Sequence, residues 1–459
     1  MHAEIKAGDD AGEAGDVARA GLPGAMSHRA AWYTVDMTAI VGVMSQIDRG
    51  VLSLFVQPIK RDYHLTDTQV SFLLGFAFTF FYAIGGPVLS SMADRGVRKT
   101  VIAGCLAVWS LATALSGLAQ GFWGFFASRA VVGATEAGCG PASMSMIADA
   151  IPKEKLPRAY AIYTSGFLGG TALSLFFGGL LLNVLADVPP IQLAGYGTIH
   201  NWQLVFFMLG APGLLIALIF LLTVQEPQRK GVTKAGGYSL RDVIGYMSTE
   251  RRLHFPLVGA LLLMGFQTHG LNAWMPAFYE RTYGWGPATV GMLMGVISLV
   301  ASTLGLFAGA RLAESLGHRR DDANMFVLFL AQTLPIPLLI AAPLMPTPQL
   351  ALGMASVGSF LTVMGGAGFN TAINLSTPNQ MRSQIVALYF ILQNAVAGSL
   401  GPTLVALATD FVAHSEADLR YVIVGFRIIV CPLTTIFLWY TLKPYAELYR
   451  RRIQEGAID

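Results

Sequence analysis

Charge is scarce in this sequence. Asp, Glu, Lys and Arg make up 12% of the 459 residues, where soluble domains run at about 25%. With 54% hydrophobic residues and a mean hydropathy of +0.55, the chain has too much apolar surface for a soluble core. The excess of base is also small: 30 Lys and Arg against 27 acids leave a net charge of +3, which argues against a nucleic-acid partner. Only three cysteines occur, Cys105, Cys139 and Cys431, each inside an apolar run and away from other ligand types. Neither a disulfide framework nor a metal site is expected from them. The first 30 residues lack a continuous apolar stretch, so they read as a disordered tail and not as a cleaved signal peptide.

Long apolar runs, by contrast, recur from Trp32 to the end, each long enough for about 30 Å of hydrocarbon. They predict helices at 32–55, 70–92, 100–119, 122–148, 160–185 and 204–224, then a polar stretch, then 255–279, 289–313, 325–344, 350–373, 385–413 and 421–442. The fold class is therefore an all-α membrane protein of twelve transmembrane helices in two six-helix bundles. The expected division is a tail at 1–30, a first bundle at 31–224, a linker at 225–252, a second bundle at 253–445 and a tail at 446–459. Under this layout the side holding both termini takes most of the basic residues. The opposite side holds only Lys60, Arg61, Arg281 and Arg420, and Arg49, Arg129 and Arg427 lie inside helices. Basic residues resist translocation, so both termini and the linker are expected in the cytoplasm, with the chain a multi-pass protein of the inner membrane.

The two halves echo each other. Pro152 is followed nine residues later by Ala161-Ile162-Tyr163, and Pro378 nine residues later by Ala387-Leu388-Tyr389. Asp94-Arg95-Gly96-Val97-Arg98-Lys99 after the second helix has its counterpart in Glu314-Ser315-Leu316-Gly317-His318-Arg319-Arg320. Duplicated halves with a binding site between them are a recurring plan of transporters. The acid-base loop has two readings. It is topogenic charge that holds the loop inside, or it is a conformational latch, with Asp94 pairing Arg98 and a neighbouring helix, supported by Arg95, Glu314 and Arg319.

Four ionisable residues fall deep in the first half: Asp48 and Arg49 in the first helix, Arg129 and Glu136 in the fourth. Intramembrane charge is costly unless it pairs or meets water. At about 1.5 Å per residue, Asp48, Arg49 and Arg129 share one depth, with Glu136 two turns beyond Arg129 on the same face. The four are expected to form one cluster facing the cavity. One reading is a static ion-pair network that fixes packing. The other is a coupling device, in which an anionic substrate head draws Arg49 from Glu136 or Asp48 and raises that carboxylate's proton affinity. The second half offers His269, Asn272, Asn370, Asn374, Gln393 and Asn394 as cavity residues. A lone membrane histidine more often packs than relays protons, and Arg427 reads as an anchor of the last helix. The aromatic run Phe76, Phe78, Phe80, Phe81, Tyr82 reads as lipid or core surface, or in part as the wall of an apolar chamber. No nucleophile-base pair or metal cluster suggests an enzyme.

The string Ser45-Gln46-Ile47-Asp48-Arg49-Gly50-Val51-Leu52-Ser53, continuing into Gln57-Pro58-Ile59-Lys60-Arg61-Asp62, resembles the first helix of spinster-like transporters of the major facilitator superfamily. Leu65-Thr66-Asp67-Thr68-Gln69 and Arg129-Ala130-Val131-Val132-Gly133-Ala134-Thr135-Glu136-Ala137 resemble the same family. The resemblance covers nearly the whole chain from Trp32. It implies a proton-linked carrier in which Asp48, Arg49 and Glu136 match the cavity acid-base residues, Arg129 and Gly133 the fourth-helix motif, and Asp94, Arg95 and Arg98 the loop motif. Ser90 stands where that loop motif usually has Gly, and its later Gly is displaced to Gly96. The expected passenger is a small amphiphilic or anionic molecule of lysolipid or sphingolipid type, carried by alternating access in membrane lipid by a monomer that needs no cofactor beyond a proton gradient. A symporter of sugar acids or aromatic acids is the alternative, and a non-transporting sensor the alternative of another class.

Overall fold

The computed structural model describes residues 26–194, 197–229, 240–378, 381–413 and 415–455. Twelve helical rods, first to twelfth in chain order, run back and forth. In the first half they are His28–Tyr63, Asp67–Arg95, Arg98–Ser116, Phe122–Glu136 continued by Cys139–Ala150, Lys153–Val184 and Asn201–Thr223. In the second half they are 251–283, Pro287–Gly317, Ala323–Leu344, Pro348–Val363 continued by Gly365–Ser376, Gln384–Ala413 and Glu416–Gln454. Nine of these, among the described residues, are single spans long and apolar enough to cross a membrane. The rods at 122–150, 251–283 and 348–376 complete the twelve. A further helix, Leu240–Thr249, lies in the linker. Much of the expected tails and linker, residues 1–25, 230–239 and 456–459, lies outside the described residues.

Helix ends follow local chemistry. Ser27 accepts a hydrogen bond from the Ala30 amide and caps the first helix. Thr66 and Gln69 form a reciprocal capping box at the start of the second, which satisfies two otherwise unpaired amides. His64, at φ 53°, makes the left-handed turn between them. Between the fifth and sixth helices the chain forms a short antiparallel hairpin, Ile191–Leu193 with Gly197–Ile199. An all-helical reading does not contain it.

The apolar core shows how the halves meet. At the face opposite the termini, Leu52, Phe55, Val70 and Leu73 of the first half pack into one buried cluster with Leu271, Trp274, Phe278 and Val290 of the second. Toward the terminal face each half packs on itself, the first around Trp109 and Phe220, the second around Leu257 and Tyr445. The shared cluster, at about 25 cal/mol per Å² of apolar surface buried, holds the far face closed, whereas no buried cluster of the described residues joins the halves toward the terminal face. Close approach across the contact needs small residues: a Cβ at Gly179 of the fifth helix would lie 2.6 Å from the Ala288 carbonyl of the eighth.

Polar bonds reinforce that closed face. Asp67, buried at the start of the second helix, accepts from both terminal nitrogens of Arg281 at 2.6 and 2.7 Å and from Lys60 Nζ at 2.6 Å. Glu416 adds 2.9 Å to Lys60 and 3.5 Å to Arg281. Nearby, the Thr68 amide and hydroxyl donate to Asp410 at 2.8 and 2.7 Å. Among the described residues, the ion pairs that cross between the halves lie at this far face.

Candidate functional site

A cavity of about 980 Å³ lies between the halves, roofed by the shared apolar cluster. Its wall includes Gln46 and Arg49 of the first helix, Phe78, Tyr82 and Ser90 of the second, and Arg129 of the fourth. From the second half it includes His269, Asn272, Tyr279, Asn394 and Arg427. Apolar side chains such as Met294, Ile297, Leu339, Leu352 and Phe390 fill much of the rest. A long, mostly apolar chamber with a few polar groups is what an amphiphile requires.

The first helix supplies the chamber's charge. Glu136 is 3% exposed, and its Oε1 accepts from Ser45 Oγ at 2.5 Å and from Arg49 Nε at 2.6 Å. The Arg49 Nη2 nitrogen completes a fork on the same oxygen. Ser45 and Arg49 stand one turn apart, so one face of the first helix presents both donors. The Arg49 guanidinium lies 4.3 Å from the Phe78 ring centroid and 5.0 Å from that of Tyr82, which stabilises the cation further. The second and fourth helices approach closely because of Gly133, where a Cβ would sit 2.2 Å from the Phe78 carbonyl. Glu136 Oε2 has no hydrogen-bond partner among the described residues. Beside Glu136 is a small pocket of about 20 Å³, lined also by Tyr82, Ser143 and Tyr163, room for one water molecule.

The expected cluster of four divides in two. Arg49 and Arg129 reach the cavity wall, whereas Asp48 does not. Asp48 is buried and faces Trp109 and Thr113 of the third helix. Consecutive helical residues point about 100° apart, and the turn from Arg49 to Asp48 leads toward the third helix, whereas the turn from Arg49 to Gly50 stays on the chamber wall. Arg129 Nη1 donates to the Asp48 carbonyl at 3.2 Å, in keeping with their equal depth.

In the second half His269, Asn272 and Asn394 line the cavity. Asn374 and Gln393 do not, and Gln393 instead donates to the Leu261 carbonyl at 3.2 Å. The side chain of Asn370 lies outside the described residues. Arg427 departs from the reading as an anchor, since it is buried and contributes to the cavity wall. Phe78 and Tyr82 likewise face the chamber, while Phe80 is exposed.

The latch also differs from expectation. Asp94 does not pair with Arg98. Arg98 binds Asp149 and Ser145 of the fourth helix and Glu226 and the Pro227 carbonyl of the linker. Gly96 adopts an extended conformation that ends the second helix, so residues 94 and 98 belong to different rods and their side chains diverge. The Asp94 main-chain carbonyl is instead held by Arg229, which also bonds the Ala93 and Gly96 carbonyls at 2.6 and 2.8 Å. Asp94, Arg95, Glu314 and Arg319 are exposed. Sequence reasoning missed Asp67, Arg281 and Glu416 at the closed face. Lys60 and Arg281 were visible there only as rare basic residues on the sparsely charged side.

The sequence profile of the Major Facilitator Superfamily matches residues 38–402. The chain belongs to that superfamily. It is 29% identical over 391 residues to an MFS-type efflux pump of Mycolicibacterium smegmatis, covering 83% of this chain and 85% of that protein. It is 22% identical over 416 residues to Protein spinster of Drosophila melanogaster, covering 86% of this chain and 63% of that longer protein. Among solved structures, a bacterial homolog of the human lysosomal transporter Spinster in an inward-facing, unoccupied conformation superposes with a TM-score of 0.77 at 23% identity, over 94% of this chain and 99% of that one. This superfamily member is similar to spinster-like transporters and shares the superfamily's fold, a class of carriers.

Proposed function

We propose that this transporter is a proton-coupled carrier of a small amphiphilic or anionic molecule, of lysolipid or sphingolipid type, working by alternating access as a monomer with no cofactor beyond the proton gradient. Both termini face the cytoplasm and the membrane is the inner one. The parted terminal face is then the inward-open mouth. The single observation that carries the reading is the Arg49–Glu136 pair at the chamber wall. A buried pair is stable only while both partners are present. A proton arriving on Glu136 takes the place of Arg49, and the freed guanidinium meets the passenger's anionic end. Departure of the passenger returns Arg49 to Glu136 and expels the proton.

The test is reconstitution into liposomes loaded with a pH-sensitive dye, challenged with lysolipids and organic acids. The expected result is a dye response to at least one amphiphilic anion, lost in Glu136→Gln. A full response in Glu136→Gln, or passenger flux with no proton movement, would count against coupling at this pair.

A further inference from the structure

Of the three arginines that line or approach the chamber, two are offset by acids of their own half. Arg49 has Glu136, and Arg129 lies between Asp48 and Glu136. Arg427 has neither. It is 6% exposed, and one terminal nitrogen is spent on the Leu339 carbonyl. It makes no ion pair among the described residues, and the titratable side chains that act on it are those of Cys431 and Tyr279. Tyr279 lines the same wall, is 1% exposed, and its hydroxyl has no hydrogen-bond partner among the described residues. A lone buried cation beside an unused buried donor is costly unless something anionic visits.

We infer that Arg427 and Tyr279 form an anion subsite in the second half, which takes the carboxylate or phosphate monoester of an amphiphile. The inference rests on the chamber being the passenger's site and adds the group that reads its charge. Arg427 lies about two turns into the twelfth helix from the closed face, level with Leu339, so the acid group lies toward that face and the apolar part extends toward the terminal face past Ile297 and Phe390. The two cationic stations then differ in kind. Arg49 is available only when Glu136 releases it, whereas Arg427 is available always. Charge selectivity follows from Arg427, and coupling from Arg49.

The experiment uses the full chain in nanodiscs, with radiolabelled octyl phosphate as probe and uncharged octanol as competitor. Wild type is expected to bind octyl phosphate at least about 10-fold tighter than octanol. Arg427→Gln is expected to lower octyl phosphate affinity by about 10- to 100-fold, the effect of one charge-assisted contact, and to leave octanol unchanged. Tyr279→Phe, which keeps the packing and removes only the hydroxyl, should cost about 3- to 10-fold, and Arg427→Lys should keep most of the preference. Wild-type preference surviving in both Arg427→Gln and Tyr279→Phe overturns the subsite. If the preference instead disappears only in Arg49→Gln, the subsite is wrong and the proposed function stands. If wild type shows no preference for the anion, both fall.

Discussion

Neutralising Asp67 should release the closed face. The carboxylate makes three charge-assisted bonds, but they do not count equally toward gating. Lys60 belongs to the same half as Asp67, so its 2.6 Å bond survives when the halves part. Only the two bonds from Arg281, at 2.6 and 2.7 Å, cross the interface. Glu416 is half-exposed and adds little on its own. Charge-assisted bonds contribute about 1.5–3 kcal/mol each when buried, and water reaching the parted face replaces part of that. A net bias of about 2–3 kcal/mol toward closure remains, so Asp67→Asn should shift the population toward a far-side-open state by about 30- to 150-fold. Spin labels at the exposed far-face positions Asp187 and Gln349 would report this as a second, longer distance in pulsed electron resonance. An unchanged distance distribution in a folded Asp67→Asn protein refutes the reasoning.

Glu136→Gln should leave Arg49 without its acid and reduce pH-dependent flux by at least about 10-fold in the dye-loaded liposomes, since removal of one buried partner costs about 3–5 kcal/mol. Asp48→Asn, whose carboxylate faces the third helix and not the chamber, should alter apparent passenger affinity less than Arg49→Gln does, as read by competition binding. Gly133→Ala should force the second and fourth helices apart at the Phe78 carbonyl, at a cost of about 1–3 kcal/mol, seen as a lower melting temperature in detergent. Arg98→Ala should release Glu226 and the Pro227 carbonyl and speed limited proteolysis at the start of the linker.

Hydropathy located the rods but not their ends. The twelfth helix is expected at 421–442 and spans Glu416–Gln454, because its last turns carry Lys443, Arg450, Arg451 and Arg452 and continue as helix outside the apolar layer. A scale that rewards apolar residues stops where the hydrocarbon does. The depth of Arg49, Arg129 and Glu136 was legible because charge in an apolar run is conspicuous. Asp48 was misplaced because composition does not report azimuth: it is the immediate neighbour of Arg49, and that one step of rotation sends it behind the wall. The Asp94–Arg98 pair failed for a similar reason, since a spacing of four implies contact only within a continuous helix, and Gly96 interrupts it. Asp67, Arg281 and Glu416 are separated by hundreds of positions and meet only when the halves close. The echo between the halves does carry over to packing: Tyr163 is buried beside Ser143 and Cys139, and Tyr389 is buried and bonded to His254 at 2.5 Å.

The unequal charge of the two halves has an electrical consequence. With Asp48, behind the wall, and Glu136 both ionised, the two acids of the first half offset Arg49 and Arg129, and Arg427 keeps a positive charge that no ion pair offsets. When the mouth faces the cytoplasm, that charge sits near cytoplasmic potential; when it faces out, near the outer one. A full elementary charge moved through 100 mV is worth about 2.3 kcal/mol, and a chamber at mid-depth senses a fraction of it. A negative interior should therefore favour the inward-open form of the empty carrier, while a bound monoanion cancels the charge and removes the bias. On a solid-supported membrane this predicts a transient charge movement for the empty carrier, suppressed by saturating octanoate, a monoanion, and absent in Arg427→Gln. A transient of equal size in wild type and Arg427→Gln would place the moving charge elsewhere.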